Sequence, residues 1–287
     1  FDEVYLDFML SRQAMMCTKN TIRQYRYLLG RTIEWFEIHE INCPKEITSK
    51  AIRQFFSELF ANGCSDSYVH TYARVLNTFI RFLVEEDYLS ESIRVPLPKI
   101  AKKQLLVYSK SQVKQILSGC QNKRDFAFIL FMLDTGLRNA EVRKLNWEDI
   151  NLNNGVVHVV EGKGRKFRIV VIGINTRRAL LKYKSELKSL GHNPVFQTQS
   201  GSRISAPGLR SWMVRLSEKV KIHITPHALR RTFATLSIRA GMDVFQLQIL
   251  LGHSTLEMTR HYVSLVDEDL VKAHQAYGPI DNLIENN

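Results

Sequence analysis

The chain has 287 residues, 45% hydrophobic and 24% charged; these are globular proportions that exclude a disordered or collagen-like polypeptide and leave room for two domains with their own cores. Forty Lys and Arg against 28 Asp and Glu give a net charge of +12, which favours a polyanionic partner. Basic residues exceed acidic ones by one in residues 1–103 and by eleven in residues 104–287, so the C-terminal two thirds should dominate the attraction.

Cys17, Cys43, Cys64 and Cys120 form no CxxC pair and have no matching His spacing, so they read as reduced thiols in a cytosolic protein rather than as zinc ligands. No uninterrupted apolar run reaches membrane-spanning length, and the amino end lacks the layout of a signal peptide. The chain begins at Phe1 rather than Met, which leaves room for native residues upstream.

In chain order, residues 4–91 read as four helices. From Asn20, the apolar positions Ile22, Tyr25, Leu29, Ile33 and Phe36 recur at helical spacing, with Arg23 beside them. From Asp66 to Val84 a second strong pattern buries Val69, Tyr72, Leu76, Ile80 and Leu83. The opposite side carries Ser67, Thr71, Arg74, Thr78 and Arg81. Such a stripe is either a solvated face or a surface laid against phosphates. Residues 94–104, with Pro96, Pro98, Lys102 and Lys103, cannot be a helix interior and mark the domain boundary.

Beyond the boundary, helices are expected over 109–117 and 123–134. Asn154-Gly155 is a turn signal ahead of two β-rich runs, 156–160 and 168–172, joined by the basic connection Glu161-Gly162-Lys163-Gly164-Arg165-Lys166. Helices resume at 176–190, 207–220, 226–240, 243–251 and 254–262. The expected fold is therefore mainly α with a small antiparallel sheet, in two domains, 1–93 and 105–287.

Four segments carry polar groups that are odd for their context. Gly136-Leu137-Arg138-Asn139-Ala140-Glu141 puts a cation at a helix start, against the macrodipole, with Glu141 placed to orient it; alone, this is also what an exposed ion pair looks like. Lys163 sits between glycines at a hairpin tip without P-loop spacing. In Thr225-Pro226-His227-Ala228-Leu229-Arg230, the N-cap and the proline fix a helix start, so His227 and Arg230 share a face. In Leu251-Gly252-His253-Ser254-Thr255-Leu256-Glu257, a glycine stop meets a capping box, and Tyr262 follows at the end of that helix.

In this order and spacing, these motifs resemble those of tyrosine recombinases, over roughly residues 10 to 275 and most like the short Xer-type and transposon-encoded members. The resemblance implies a helical core-binding domain and a catalytic domain that clamp DNA from two sides. It implies that Arg138 and Arg230 bind the scissile phosphate and that His253 hydrogen-bonds it. Lys163 would protonate the leaving 5′-oxygen, His227 would assist proton transfer, and Tyr262 would be the nucleophile. Tyr277 is the rival near the carboxyl end, beyond the acidic run Asp267-Glu268-Asp269. His158, His223, His261 and His274 fall on no motif.

DNA contacts are expected from Arg23, Ser67, Thr71, Arg74, Arg81, Lys102, Lys103, Arg165 and Lys166. No carboxylate cluster suggests a two-metal site, so the expected chemistry uses arginines and no cofactor. The resemblance implies double-stranded DNA with a specific site and a homo-tetramer on two duplexes as partners, and no membrane; the tail 267–284 either packs back onto its own domain or, as the resemblance implies, docks on a neighbouring copy. A type IB topoisomerase-like enzyme and a catalytically silent DNA-binding protein of the same fold are the alternatives.

Overall fold

A computed structural model describes residues 1–100, 105–160, 167–187, 194–252 and 255. The chain divides into two compact units, Phe1–Lys103 and Gln104–Asn287.

The first unit is four helices: α1 (Asp2–Ala14), α2 (Lys19–Ile38), α3 (Ser49–Ala61) and α4 (Asp66–Glu85). Three starts are capped by hydroxyls, with Thr18, Thr48 and Ser65 accepting the backbone N–H three residues on, which satisfies donors that the first helical turn leaves unpaired. The amphipathic face of α4 buries Val69, Tyr72, Leu76, Ile80 and Leu83. Aromatic edges organise this core: Phe8 lies 5.3 Å, centroid to centroid, from each of Tyr25, Phe79 and Phe82.

The proline-rich stretch after α4 is docked onto this unit. Ser49 Oγ donates to the Arg94 carbonyl, His70 Nδ1 lies 3.0 Å from the Pro98 carbonyl, and Val95 is buried. The extended backbone that the prolines impose thus finds partners on α3 and α4.

The second unit contains α5 (Lys110–Gly119), α6 (Lys123–Thr135), α7 (Asn139–Lys144), strands β1 (Val156–Val160) and β2 (Phe167–Val171), then α8 (Ile174–Lys184), α9 (Ala206–Val220), α10 (Pro226–Arg239) and α11 (Val244–Leu251). The antiparallel register pairs Val157 with Val170 and Val159 with Arg168, so these residues share the inward face while His158, Ile169 and Val171 face outward. Helix α8 ends at Lys184, short of the expected 190, where Ser185 caps it. The helix expected over 254–262 lies outside the described residues.

The apolar helix α6 is the centre of this unit, packing against α8 and α10 and burying Phe128, Ile129, Phe131 and Met132. Near its start, Asp125 is buried and accepts from Asn122 Nδ2 at 3.0 Å, Arg124 Nη2 at 2.8 Å and Trp212 Nε1 at 2.7 Å. The carboxylate thereby ties α6 to α9. Replacing Asp125 with Ala leaves the Trp212 N–H and the Arg124 guanidinium without that acceptor, so urea denaturation should show a loss of about 3 kcal/mol. A loss below about 0.5 kcal/mol would mean that water replaces the carboxylate. Among the described residues, all four cysteines are free thiols, and no helix is long and apolar enough to cross a membrane.

Candidate active site

The site is built at the turn after α6. Gly136 ends that helix with φ +59°, and a Cβ there would lie 2.2 Å from the Phe233 ring, so both backbone and space demand glycine. The chain then buries Leu137 and starts α7 with Arg138 at the N-cap. The Glu141 carboxylate accepts the Arg138 backbone N–H at 2.7 Å and Nη1 at 2.9 Å.

Helix α10 supplies the next two groups. Thr225 caps it by accepting the Ala228 N–H, and Pro226 occupies its first turn. The buried phenol of Tyr108 holds this start from outside, donating to the His223 carbonyl at 2.8 Å and accepting from Thr225 N at 3.1 Å. Arg230 is 5% exposed; Nη1 donates to the Gly136 carbonyl and Nη2 to the Leu251 carbonyl, both at 2.8 Å. His227, one turn earlier, keeps contact with solvent. Desolvation of its protein-facing side, then the positive charges of Arg231, Arg230 and Arg138, push its pKa below the ordinary histidine value. The shift favours the neutral imidazole over the imidazolium.

The third element is the C-terminus of α11, closed by Gly252 in the left-handed conformation. Three successive carbonyls there each receive a different arginine: Leu250 from Arg168 Nε at 3.0 Å, Leu251 from Arg230, and Gly252 from Arg138 Nη2 at 3.0 Å. A helix C-terminus carries unpaired carbonyls and the negative end of the dipole, so it gathers cations. This accounts for Arg138 at the start of α7: its unfavourable position on its own helix is offset by the end of another.

Arg168 was not among the residues singled out from the sequence. Its guanidinium forks onto Glu141, with Nη1 3.1 Å from Oε1 and Nη2 2.8 Å from Oε2. Burial raises the Glu141 pKa, and the hydrogen bonds from Arg168 and the Arg138 amide, with the charges behind them, outweigh it and hold the carboxyl below its ordinary value. A signal did exist: position 168 alternates with the buried Val170 and Ile172, and a cation at core parity requires a partner.

The structure thus brings Arg138 and Arg230 to the end of α11, at Gly252 and Leu251 just before His253, with His227 within reach of both charges. Lys163, His253 and Tyr262, and with them Lys102, Lys103, Arg165 and Lys166, lie outside the described residues. Arg23, Ser67, Thr71, Arg74 and Arg81 belong to the first unit, on α2 and α4. Ser67, Arg74 and Arg81 are exposed, while the Thr71 and Thr78 hydroxyls donate to carbonyls one turn back and turn their oxygens into acceptors. His158 faces outward on the sheet, away from the arginines of the inward face. Tyr72, Tyr108 and Tyr183 are buried, and burial pushes each phenol above its ordinary pKa, the reverse of what a nucleophile needs. Among the described residues, no cluster of His, Cys, Asp or Glu is arranged to hold a metal ion.

Comparison with known proteins bears on this geometry. The Phage integrase family matches residues 107–269, which contain the whole arginine cluster. The chain is 31% identical to the tyrosine recombinase XerA of Saccharolobus solfataricus, over 79% of this chain and 77% of that one. It is 29% identical to XerA of Thermococcus kodakarensis, over 92% of each. Among solved structures, the Tn1549 transposon integrase in complex with circular intermediate DNA has a TM-score of 0.74 at 21% identity, covering 91% of this chain and 94% of that one. A lambda integrase dimer bound to a core site has a TM-score of 0.75 at 17% identity, covering 90% and 93%. These likenesses extend the shared fold across both units. With this fold, with a match over more than half its length, and with an arginine cluster where the motifs converge, the chain belongs to the phage integrase family, the tyrosine recombinases.

Proposed function

We propose that this recombinase cuts and rejoins DNA at a specific site through a 3′-phosphotyrosyl intermediate, without a metal ion. The observation that carries the reading is the convergence of Arg138 and Arg230 at the end of α11, with His227 close enough that both charges lower its pKa. Two guanidinium forks match the nonbridging oxygens of a phosphodiester and stabilise the charge that develops there. His227 is the proton acceptor near the attacking phenol, and His253 adds a hydrogen bond to the phosphate.

In the first step the Tyr262 oxygen attacks phosphorus, its proton passes to His227, and the 5′-oxygen leaves with a proton from Lys163. In the second, a 5′-hydroxyl attacks the phosphotyrosine and releases Tyr262. One phosphodiester is exchanged for another, so no nucleotide is consumed. The first unit is the core-binding domain, holding DNA through Arg23, Ser67, Thr71, Arg74 and Arg81, and Lys102, Lys103, Arg165 and Lys166 add contacts. Four copies act on two duplexes in the cytoplasm, linked through the segment 267–284.

The test uses the full chain and a nicked duplex whose sequence is obtained by recovering DNA covalently bound to the protein in cells. In excess EDTA, a denaturing gel should show a covalent adduct forming at the rate seen without chelator. Loss of the adduct on chelation, restored by Mg²⁺ with DNA binding unchanged throughout, would overturn the metal-free mechanism.

A further inference from the structure

We propose that Arg168 is a positioning residue for strand cleavage, orienting Arg138 through Glu141 and tying β2 to the end of α11. The inference rests on the reading that Arg138 grips the scissile phosphate. Its starting point is a residue that stability alone does not ask for. On the inward face of β2, between the partner Val159 and the neighbours Val170 and Ile172, a valine would complete the core. A buried ion pair is often no more stabilising than apolar residues of the same volume, so its presence points to a geometric task.

The geometry defines that task. Each Glu141 oxygen accepts two donors: Oε1 from Arg138 Nη1 and Arg168 Nη1, Oε2 from the Arg138 amide and Arg168 Nη2. Four donors saturate the carboxylate, so its orientation follows the Arg168 fork. The side chains of Arg168 and Glu141 are 8% and 10% exposed, against 40% for Arg138. The buried pair is thus the base on which the more exposed guanidinium is mounted. The second anchor of Arg138, the Gly252 carbonyl, is held from the same source, because Arg168 Nε binds Leu250 in the same helix end. These two supports of Arg138 therefore run through one residue, and β2 begins four residues after Lys163.

Among the described residues, the charged groups facing Glu141 are Arg138 at its own helix cap and Arg168 from β2, and Arg138 in turn acts on His227 of α10. Removing Arg168 takes away one of the two cations that offset the burial of Glu141, so its pKa should rise. As the pH falls through that raised value, Glu141 becomes neutral and its hold on Arg138 weakens.

The test is single-turnover cleavage of the nicked duplex by wild type, Arg168→Gln, Arg168→Lys and the double variant Arg168→Gln/Glu141→Gln, with DNA affinity and circular dichroism measured alongside. Arg168→Gln should bind DNA within about threefold of wild type, because many phosphate contacts remain. It should cleave on the order of 10²-fold more slowly, the cost of a displaced catalytic group, with a loss that deepens as pH falls. The double variant should lose that added pH dependence. Arg168→Lys, which keeps the charge without the fork, should fall between wild type and Arg168→Gln. A folded Arg168→Gln or Arg168→Lys that cleaves at the wild-type rate with the wild-type pH profile overturns the inference. So does a loss of cleavage that only parallels a loss of DNA binding, or a failure of both single variants to fold. If wild type itself forms no adduct, the function proposed above fails first, and the two failures are distinguished in the same experiment.

Discussion

Replacing Tyr262 with Phe should abolish the covalent protein–DNA adduct while leaving binding to a single site within about threefold of wild type. The substitution removes one oxygen and keeps the ring, so the proposed phosphate contacts should persist while the atom that would bond to phosphorus is gone. An unperturbed phenol has a pKa of about 10 and is a weak nucleophile at pH 7. On the proposed mechanism Arg138 and Arg230 would lower the cost of forming its anion near the phosphate, and His227, whose pKa burial and neighbouring arginines lower, would take part in removing the proton. The assay is a denaturing gel on the nicked duplex with enzyme in excess. An adduct formed by Tyr262→Phe would show that another tyrosine, Tyr277 first among them, is the nucleophile.

The second large effect is expected from Arg230→Gln, which should lower cleavage by about 10³-fold, the scale on which a preorganised donor to a developing oxyanion acts. Arg230 is buried and bridges the carbonyls that end α6 and α11, at Gly136 and Leu251. A glutamine amide is too short to span both, so at least one buried carbonyl loses its donor, at a cost of about 1–3 kcal/mol in stability. Cleavage and unfolding should therefore both suffer, in different proportions: the stability loss leaves the folded population dominant at 25 °C, and the catalytic loss remains. Arg230→Lys separates charge from geometry, since an ammonium keeps the cation but not the planar fork, and it should stay at least 10-fold below wild type. A folded Arg230→Gln that retains more than a tenth of wild-type cleavage would remove Arg230 from the catalytic group.

Local patterns in the sequence were enough for most of the described elements and for recognising the motifs, though not for the end of α8. The 3.6-residue recurrence in α2 and α4, the hydroxyl cap at Thr225, the proline at the start of α10 and the glycine stops at Gly136 and Gly252 each act within a turn or two, so the residues that determine them are neighbours in the chain. The motif set around Arg138, His227 and Arg230 was legible for the same reason, as three short strings whose order and spacing are specific. What they touch was not. The carbonyls that Arg138 and Arg230 bind lie 114 and 21 residues further along the chain, and Arg230 also reaches back 94 residues to Gly136.

Arg168 shows the limit most clearly. Its parity in β2 announced a buried cation, but the choice of Glu141, 27 residues earlier, and of the α11 carbonyl, 82 residues later, depends on how β2 packs against α7 and α11. A strand pattern says which face is inward and nothing about what waits there. The proline stretch after α4 likewise reads only as a domain boundary, because prolines report only what the backbone cannot be; its docking on Ser49 and His70 came from distant helices. Secondary structure and motif identity are short-range consequences of sterics, capping and periodicity, and the chain alone determined them. The gathering of three arginines on one helix end is a long-range electrostatic arrangement, and only the packing of α6, α10, α11 and β2 could decide it.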